Sequence, residues 1–342
     1  MGTIKRKSIY WIISVVVIAL GGIAYLLADR YLIEHVEIAD VNQVIAAATA
    51  TAQAASASAG TDTVLAAATP GAAAESVTAS ISHESASVSE TYTDDWTYIC
   101  DSLSIKIKEV TTGSGSDTVT YFVADVVLTD ATQLQNAFAK NAFGTNIIAY
   151  TSQIAADNNA IFAINGDYYG FREDGIIIRN GVIYRDVPTR IGLAFYKDGS
   201  MKIYDETQAS AQQLIEDGVW NTLSFGPALI ENSVINTDYG RVSVDTNLGN
   251  HSIQGNNPRT GIGIISPNHF VFVVVDGRSK GYSRGVSLSE FAQIFSDLGC
   301  TDAYNIDGGG SSTMYFMGRV VNNPLGANKE RGTSDILFIG AE

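Results

Sequence analysis

The sequence predicts an α+β domain: a mixed, largely antiparallel sheet flanked by helices, preceded by one transmembrane helix and a low-complexity stalk. Three observations carry that expectation. A charge-free apolar run lies near the N-terminus, a tract rich in Ala, Ser and Thr follows it, and short β-prone runs with turn signals and isolated helices fill the remainder. Strict alternation of strands and helices is missing, which argues against a doubly wound parallel sheet. A chain of 342 residues is long enough for two average domains, yet single mixed domains of about 250 residues are common.

Taking the elements in order, residues 8–28 are 21 residues without a charge. At about 1.5 Å per residue they reach about 30 Å, the thickness of a bilayer's hydrocarbon core. Lys5, Arg6 and Lys7 precede the run and Asp29-Arg30 follow it. The positive-inside rule therefore expects residues 1–7 in the cytoplasm, 8–28 as a signal anchor, and the remaining chain exported. A buried core helix seldom runs this long between basic flanks. A cleaved signal peptide is the nearer alternative, but the run exceeds the usual apolar region of about 7–15 residues and no small-x-small site follows closely.

From Ile45 to Ser80, 26 of 36 residues are Ala, Ser or Thr, and no aromatic residue occurs between Tyr31 and Tyr92. Such a stretch cannot build a core, so residues 29–92 are expected to form a stalk, its first alanines extending a helix. The globular domain is expected over 93–342. Within it, a strand ending near Leu128 is followed by a predicted helix from Ala131 to Phe143. Ile176–Tyr184 reads as a hairpin, because Asn180-Gly181 supplies the positive φ values of a type I′ turn. A second hairpin is expected around Lys197-Asp198-Gly199-Ser200. Ser287-Leu288-Ser289-Glu290 matches a capping box and opens a helix to Leu298.

Composition narrows the function classes. A formal net charge of -15 excludes a general nucleic-acid binder, since phosphate backbones are held by clusters of Lys and Arg. Cys100 and Cys300 are too few for a disulfide framework; outside the cytoplasm they either pair or remain two buried thiols. His35, His83, His251 and His269 are scattered without i, i+4 spacing, which gives no support for a zinc hydrolase. No cofactor is required by the sequence, and a metal, if bound, is expected to be Ca²⁺ or Mg²⁺ on carboxylates. No Gly-x-Ser-x-Gly elbow occurs.

Three strand-end carboxylates stand out. Asp307-Gly308-Gly309-Gly310-Ser311-Ser312-Thr313 follows the apparent strand Ala303–Ile306, and consecutive glycines let a ligand approach the backbone. A glycine-rich turn between strands would look the same, and no Lys follows as in a Walker loop. Asn165-Gly166-Asp167 and Asp276-Gly277-Arg278 each end a buried-looking apolar run, although either is also a common turn sequence. Arg259 and Arg278 are the candidates to meet an anion, because a guanidinium fork matches two phosphate oxygens; a salt bridge to a nearby acid is the alternative role.

In this order, Asn165-Gly166-Asp167-Tyr168-Tyr169, Arg259-Thr260-Gly261-Ile262-Gly263, Asp276-Gly277-Arg278, Gly281-Tyr282-Ser283, Ser287-Leu288 with Glu290, and Asn305–Met314 resemble the phosphodiester glycosidase family. The resemblance covers about residues 95–342. Cys300 departs from it, standing where a small aliphatic residue is more usual. What it implies is a hydrolase cleaving a sugar-1-phosphodiester in a phosphorylated glycan or cell-surface polysaccharide such as an exopolysaccharide.

Cleavage at an anomeric carbon passes through an oxocarbenium-like transition state and needs a carboxylate near it. Asp307 is the first choice for that carboxylate. Asp276 and Asp167 are candidates for base, metal ligand or acceptor from a sugar hydroxyl. Asn165, Arg259, Arg278, Gly308, Gly309, Gly310, Ser311, Ser312 and Thr313 are expected to bind substrate. The rival expectation is a non-catalytic surface module that binds phosphorylated glycans on the same loops.

Overall fold

A strand whose successive side chains are apolar must be covered on both faces, and His269–Val275 is such a strand from Phe270 onward. The computed structural model, which describes residues 6–59, 91–242, 244 and 252–341, places it in the middle of a nine-stranded sheet. The elements used below are α1 (Arg6–Tyr31), β1 (His35–Ile38), α2 (Val41–Ala59), β2 (Val119–Leu128), β3 (Gln135–Phe138), β4 (Phe143–Thr145), β5 (Ala160–Asn165), β6 (Arg259–Ser266), β7 (His269–Val275), α3 (Leu288–Asp297), β8 (Asp302–Ile306), β9 (Met314–Phe316) and β10 (Asp335–Gly340).

The large sheet runs Val234–Ile235, Ala228–Glu231, β8, β6, β7, β2, Leu103–Thr112, Thr97–Ile99, Tyr92–Thr93. A five-stranded sheet runs Arg319–Val320, β9, β5, β10, β3. Every strand pairing among the described residues is antiparallel.

Alternation sorts β7 between two cores. Phe270, Phe272 and Val274 enter the core shared by both sheets, where the rings of Phe162 on β5 and Phe272 lie 5.1 Å apart. Val271, Val273 and Val275 face the other way, against Phe291 and Phe295 of α3. Each of these fully buried side chains stabilises the fold by about 1.5–3 kcal/mol relative to exposure.

The capping box is formed as expected: Ser287 Oγ accepts from the Glu290 N–H and the Glu290 carboxylate accepts from the Ser287 N–H. The Asn180-Gly181 hairpin is also formed, with φ of 53° and 75°. Gly199 turns the second one. Both cysteines are free thiols, and burial pushes that of Cys300 up to about 12.

Two regions depart from the expectation. The helix predicted over Ala131–Phe143 does not form; Gln135–Phe138 is β3 and Phe143–Thr145 is β4. Here tertiary pairing overrides local propensity: β3 pairs with β10, and Lys140 and Asn141 take φ of 56° and 52°, a turn no helix can contain. The second departure is the start of the expected stalk. Residues 35–38 form β1, paired with β4, and Val41 at the start of α2 is buried with Phe138, Phe143, Tyr169 and Ile177. The part of the expected stalk over 60–90 lies outside the described residues, as do residues 1–5 with Lys5.

Candidate active site

Strand register decides which loops meet. Arg259, the first residue of β6, pairs with Val275, the last of β7, and Thr260 pairs with Ile306, the last of β8. The chain entering β6 and the chains leaving β7 and β8 therefore share one sheet edge, which brings Arg259, Asp276-Gly277-Arg278 and Asp307 together. Between them lies a half-open cleft, lined among others by Asn257, Arg259, Arg278, Asn305, Asp307 and Arg331.

The glycine loop forms the floor. Gly309 (φ 62°) donates its N–H to Pro258 O at 2.9 Å, and Ser311 N donates to Gly308 O at 3.1 Å. A Cβ on Gly309 would come within 3.3 Å of Arg278 Nη2, and one on Gly310 within 3.2 Å of Arg331. The glycines thus leave room for two guanidinium groups to close over the loop, a packing reason for them beyond turn geometry.

Three arginines and one carboxylate line this cleft. Arg259 is buried and donates only to carbonyls, from Nε to Val286 O at 3.1 Å and from Nη2 to Ile253 O and Gly255 O at 2.8 and 2.9 Å. Burial first, and Arg278 second, pull its pKa down to about 10. Arg278 donates from Nη2 to Asn257 Oδ1 at 2.8 Å, and burial followed by the neighbouring Arg331 lowers its pKa. Arg331 donates to Ser311 Oγ at 2.7 Å and reaches Asp307 Oδ2 at 3.5 Å. Among the described residues neither Arg259 nor Arg278 has an acid within ion-pair distance. Neighbouring cations that outnumber the acids among the described residues form a binding field for an anion.

Asn165 joins the two sheets beneath the loop. Its Oδ1 accepts from Thr260 Oγ1 at 2.8 Å and Thr313 N at 3.2 Å, and its Nδ2 donates to Asp307 O at 2.7 Å. Ser311, Ser312 and Thr313 are buried and are not among the residues lining the cleft. The other two strand-end carboxylates do not line the cleft either.

Asp276 is enclosed, accepting from Tyr282 Oη, Asn322 Nδ2 and Asn323 N, each at 2.8 Å; burial raises its pKa against these bonds. Asn322 also donates to Ser312 O at 3.0 Å, so Asp276 holds the glycine loop from behind. Asp167 accepts from Tyr169 N and Ser224 N at 3.0 and 2.9 Å and lies 3.2 Å from Arg179 Nη2.

Arg331 had no signal in the sequence, since nothing in Lys329-Glu330-Arg331 separates one cation from the other. Arg179 and Asp335 escaped for a related reason, both being charged residues within apolar strands. Arg179 Nε donates to Asp335 Oδ2 at 2.9 Å. Among the described residues no group of three His, Cys, Asp or Glu gathers that could hold a metal.

The profile of the phosphodiester glycosidase family matches residues 158–340, a span that contains every cleft residue named above. The chain belongs to the phosphodiester glycosidase family. Strands before that span, notably β2 and Leu103–Thr112, belong to the same nine-stranded sheet as β6, β7 and β8. The SPbeta prophage-derived uncharacterized protein YomE of Bacillus subtilis (strain 168) is 31% identical over 206 residues, covering 58% of this chain. The match spans only 30% of that longer relative.

Among solved structures, the catalytic domain of zebrafish N-acetylglucosamine-1-phosphodiester alpha-N-acetylglucosaminidase, auto-inhibited by its pro-peptide, superposes with a TM-score of 0.54 at 20% identity. The superposition covers 70% of this chain and 84% of the zebrafish one. At that identity the likeness is one of fold. A hypothetical protein from Synechocystis gives a TM-score of 0.47 at 14% identity, over 70% of this chain and 62% of that one.

Proposed function

We propose that the chain hydrolyses a sugar-1-phosphodiester at its glycosidic C–O bond, with Asp307 as the carboxylate at the anomeric carbon. The observation that carries this reading is the charge arrangement: three guanidinium groups and a single carboxylate line the cleft, and among the described residues two of the three have no acid within ion-pair distance. A phosphodiester monoanion answers that field. Arg259, Arg278 and Arg331 hold its oxygens, and Asp307, 3.5 Å from Arg331, stands where positive charge develops on the sugar ring. The C–O bond breaks with its electron pair going to the departing phosphate, which the arginines receive, so little general-acid assistance is required. Asp276, Asp167 and Asn165 act as positioning residues that hold the loop ends.

The substrate class proposed is a phosphorylated glycan or polysaccharide. Residues 10–31 of α1 are long and apolar enough to cross a membrane, with mean hydropathy 2.4. We read them as a single-pass anchor, with the N-terminus cytoplasmic and the domain outside.

Oxygen-18 water tests the reaction type. A glycosidase places the label in the free sugar and leaves the phosphomonoester unlabelled, whereas label in phosphate overturns the proposal. A non-catalytic glycan-binding module would give no turnover in the same assay.

A further inference from the structure

The end of α1 is not separated from the domain by a flexible spacer. Asn146, immediately after β4 and at φ 59°, donates its side-chain amide to the carbonyls of Asp29, Arg30 and Ile33, at 3.3, 3.0 and 2.9 Å. These are the last turn of α1 and the residues just beyond it. Lys140 pairs with Glu34, Asn141 Nδ2 donates to Asp40 Oδ1 at 2.8 Å, and β1 pairs with β4. The domain is thereby clamped within one helical turn of the point where the apolar run ends.

Large apolar side chains near that clamp are exposed among the described residues. Leu32 and Ile33 are 78% and 40% exposed, and Ile148 and Tyr150 are 39% and 51% exposed. Ile148 lies within about 7 Å of chain from Asn146. Aromatic rings with a polar tip are enriched where a protein meets the bilayer interface, and Tyr150 has that character.

This face is joined to the cleft. Ala149 and Thr333 form a bridge, with N–O distances of 3.1 and 2.8 Å, and a Cβ on Gly332 would come within 2.9 Å of Ile148 Cδ1. Arg331, the residue before Gly332, is the one that reaches Ser311 and Asp307.

We propose that the face formed by Leu32, Ile33, Ile148 and Tyr150 rests on the bilayer that α1 enters, and that the substrate is a sugar phosphodiester whose alcohol is a lipid of that bilayer. The proposal rests on reading α1 as a membrane span and on the hydrolase reading above. A glycosyl phosphate esterified to a lipid keeps its phosphate and anomeric carbon at headgroup level. An arginine-lined cleft tied to an interfacial patch can meet them there without drawing the lipid out of the membrane.

The full chain, reconstituted in phosphatidylcholine vesicles containing a lipid with a photoactivatable group near the headgroup, tests the contact by mass spectrometry of the adducts. Adducts on the end of α1 and on residues 147–150 are expected. Adducts on α1 alone overturn the proposal while leaving the anchor intact, whatever else covers the patch; adducts on neither remove the anchor reading and the proposal with it. This map is read without turnover, so it stands apart from the hydrolase reading.

Substrate class is tested with Tyr150→Glu. Turnover of a sugar-1-phospholipid in vesicles should fall about tenfold through misplacement at the surface, with turnover of the same sugar-1-phosphate on a short soluble alcohol unchanged. An equal effect on the two substrates, or no effect on either, overturns the lipid assignment.

Discussion

Two clusters of arginine and aspartate sit in this molecule, built from the same residue types for opposite ends. In the cleft, three guanidinium groups face one carboxylate at the open edge of the large sheet. Behind it, Arg179 is enclosed with two carboxylates, 3.2 Å from Asp167 and 2.9 Å from Asp335. It also donates to Thr222 O, lies over the Tyr169 ring, and is fully buried. Burial drives the Asp335 carboxyl well above its usual range, with Arg179 as the main opposing influence. The sealed cluster carries an excess of acid and holds the five-stranded sheet to the Gly175–Arg179 hairpin. Among the described residues the open cluster carries an excess of cation over its one carboxylate. The sign of the imbalance, and whether solvent reaches it, separate a structural network from a site.

The comparison breaks most visibly at Arg179. Arg179→Met leaves two buried carboxylates without their cation and should cost about 3–5 kcal/mol, seen as a fall in Tm of about 10 °C or more. A loss of activity with an unchanged Tm would move Arg179 from the structural side to the chemical one. Asp307→Asn should do the reverse, lowering kcat at least about a hundredfold with little change in the thermal transition. Unchanged turnover would remove Asp307 from the central role.

Arg278→Ala should raise KM about tenfold and leave kcat within a few-fold, because the phosphate contact is much the same in ground and transition states. A fall in kcat alone would assign Arg278 to the departing phosphate.

The smallest effect lies outside both clusters, at the cap of α3. Hydrogen bonding from Arg284, then from Ser287, holds the Glu290 carboxyl down at about 2, against the burial that would raise it. Since this folded pKa lies below the unfolded value, the stability Glu290 contributes is present above about pH 4.5 and is lost as pH falls towards 2. Glu290→Gln should therefore be less stable than wild type at pH 7, and the gap should close across that window. A gap that persists at pH 2 would assign the effect to packing.

Local chemistry made much of this legible in the sequence. The Asn180-Gly181 turn, the Ser287/Glu290 cap and the glycine loop after β8 each follow from what a few neighbouring residues can do. What failed was whatever depends on distant partners. Gln135–Phe138 becomes a strand only because β10 lies beside it. Asp276 and Asp167 resemble Asp307 in being strand-end acids, and only the folded chain separates them, by giving Asp276 three donors and Asp167 a buried guanidinium. Arg331 shares nothing in sequence with Arg259 and Arg278 and joins them in the cleft through its contacts with Ser311 and Asp307.

The three cleft arginines also bear on how the reaction ends. A diester brings one negative charge to the cleft, whereas the monoester left after cleavage carries about −1.5 to −2 at neutral pH. The field that recruits the substrate therefore holds the product more tightly. Turnover should slow as monoester accumulates, inorganic phosphate should compete with substrate, and release of the phosphorylated product rather than bond breaking should set the pace at high substrate concentration.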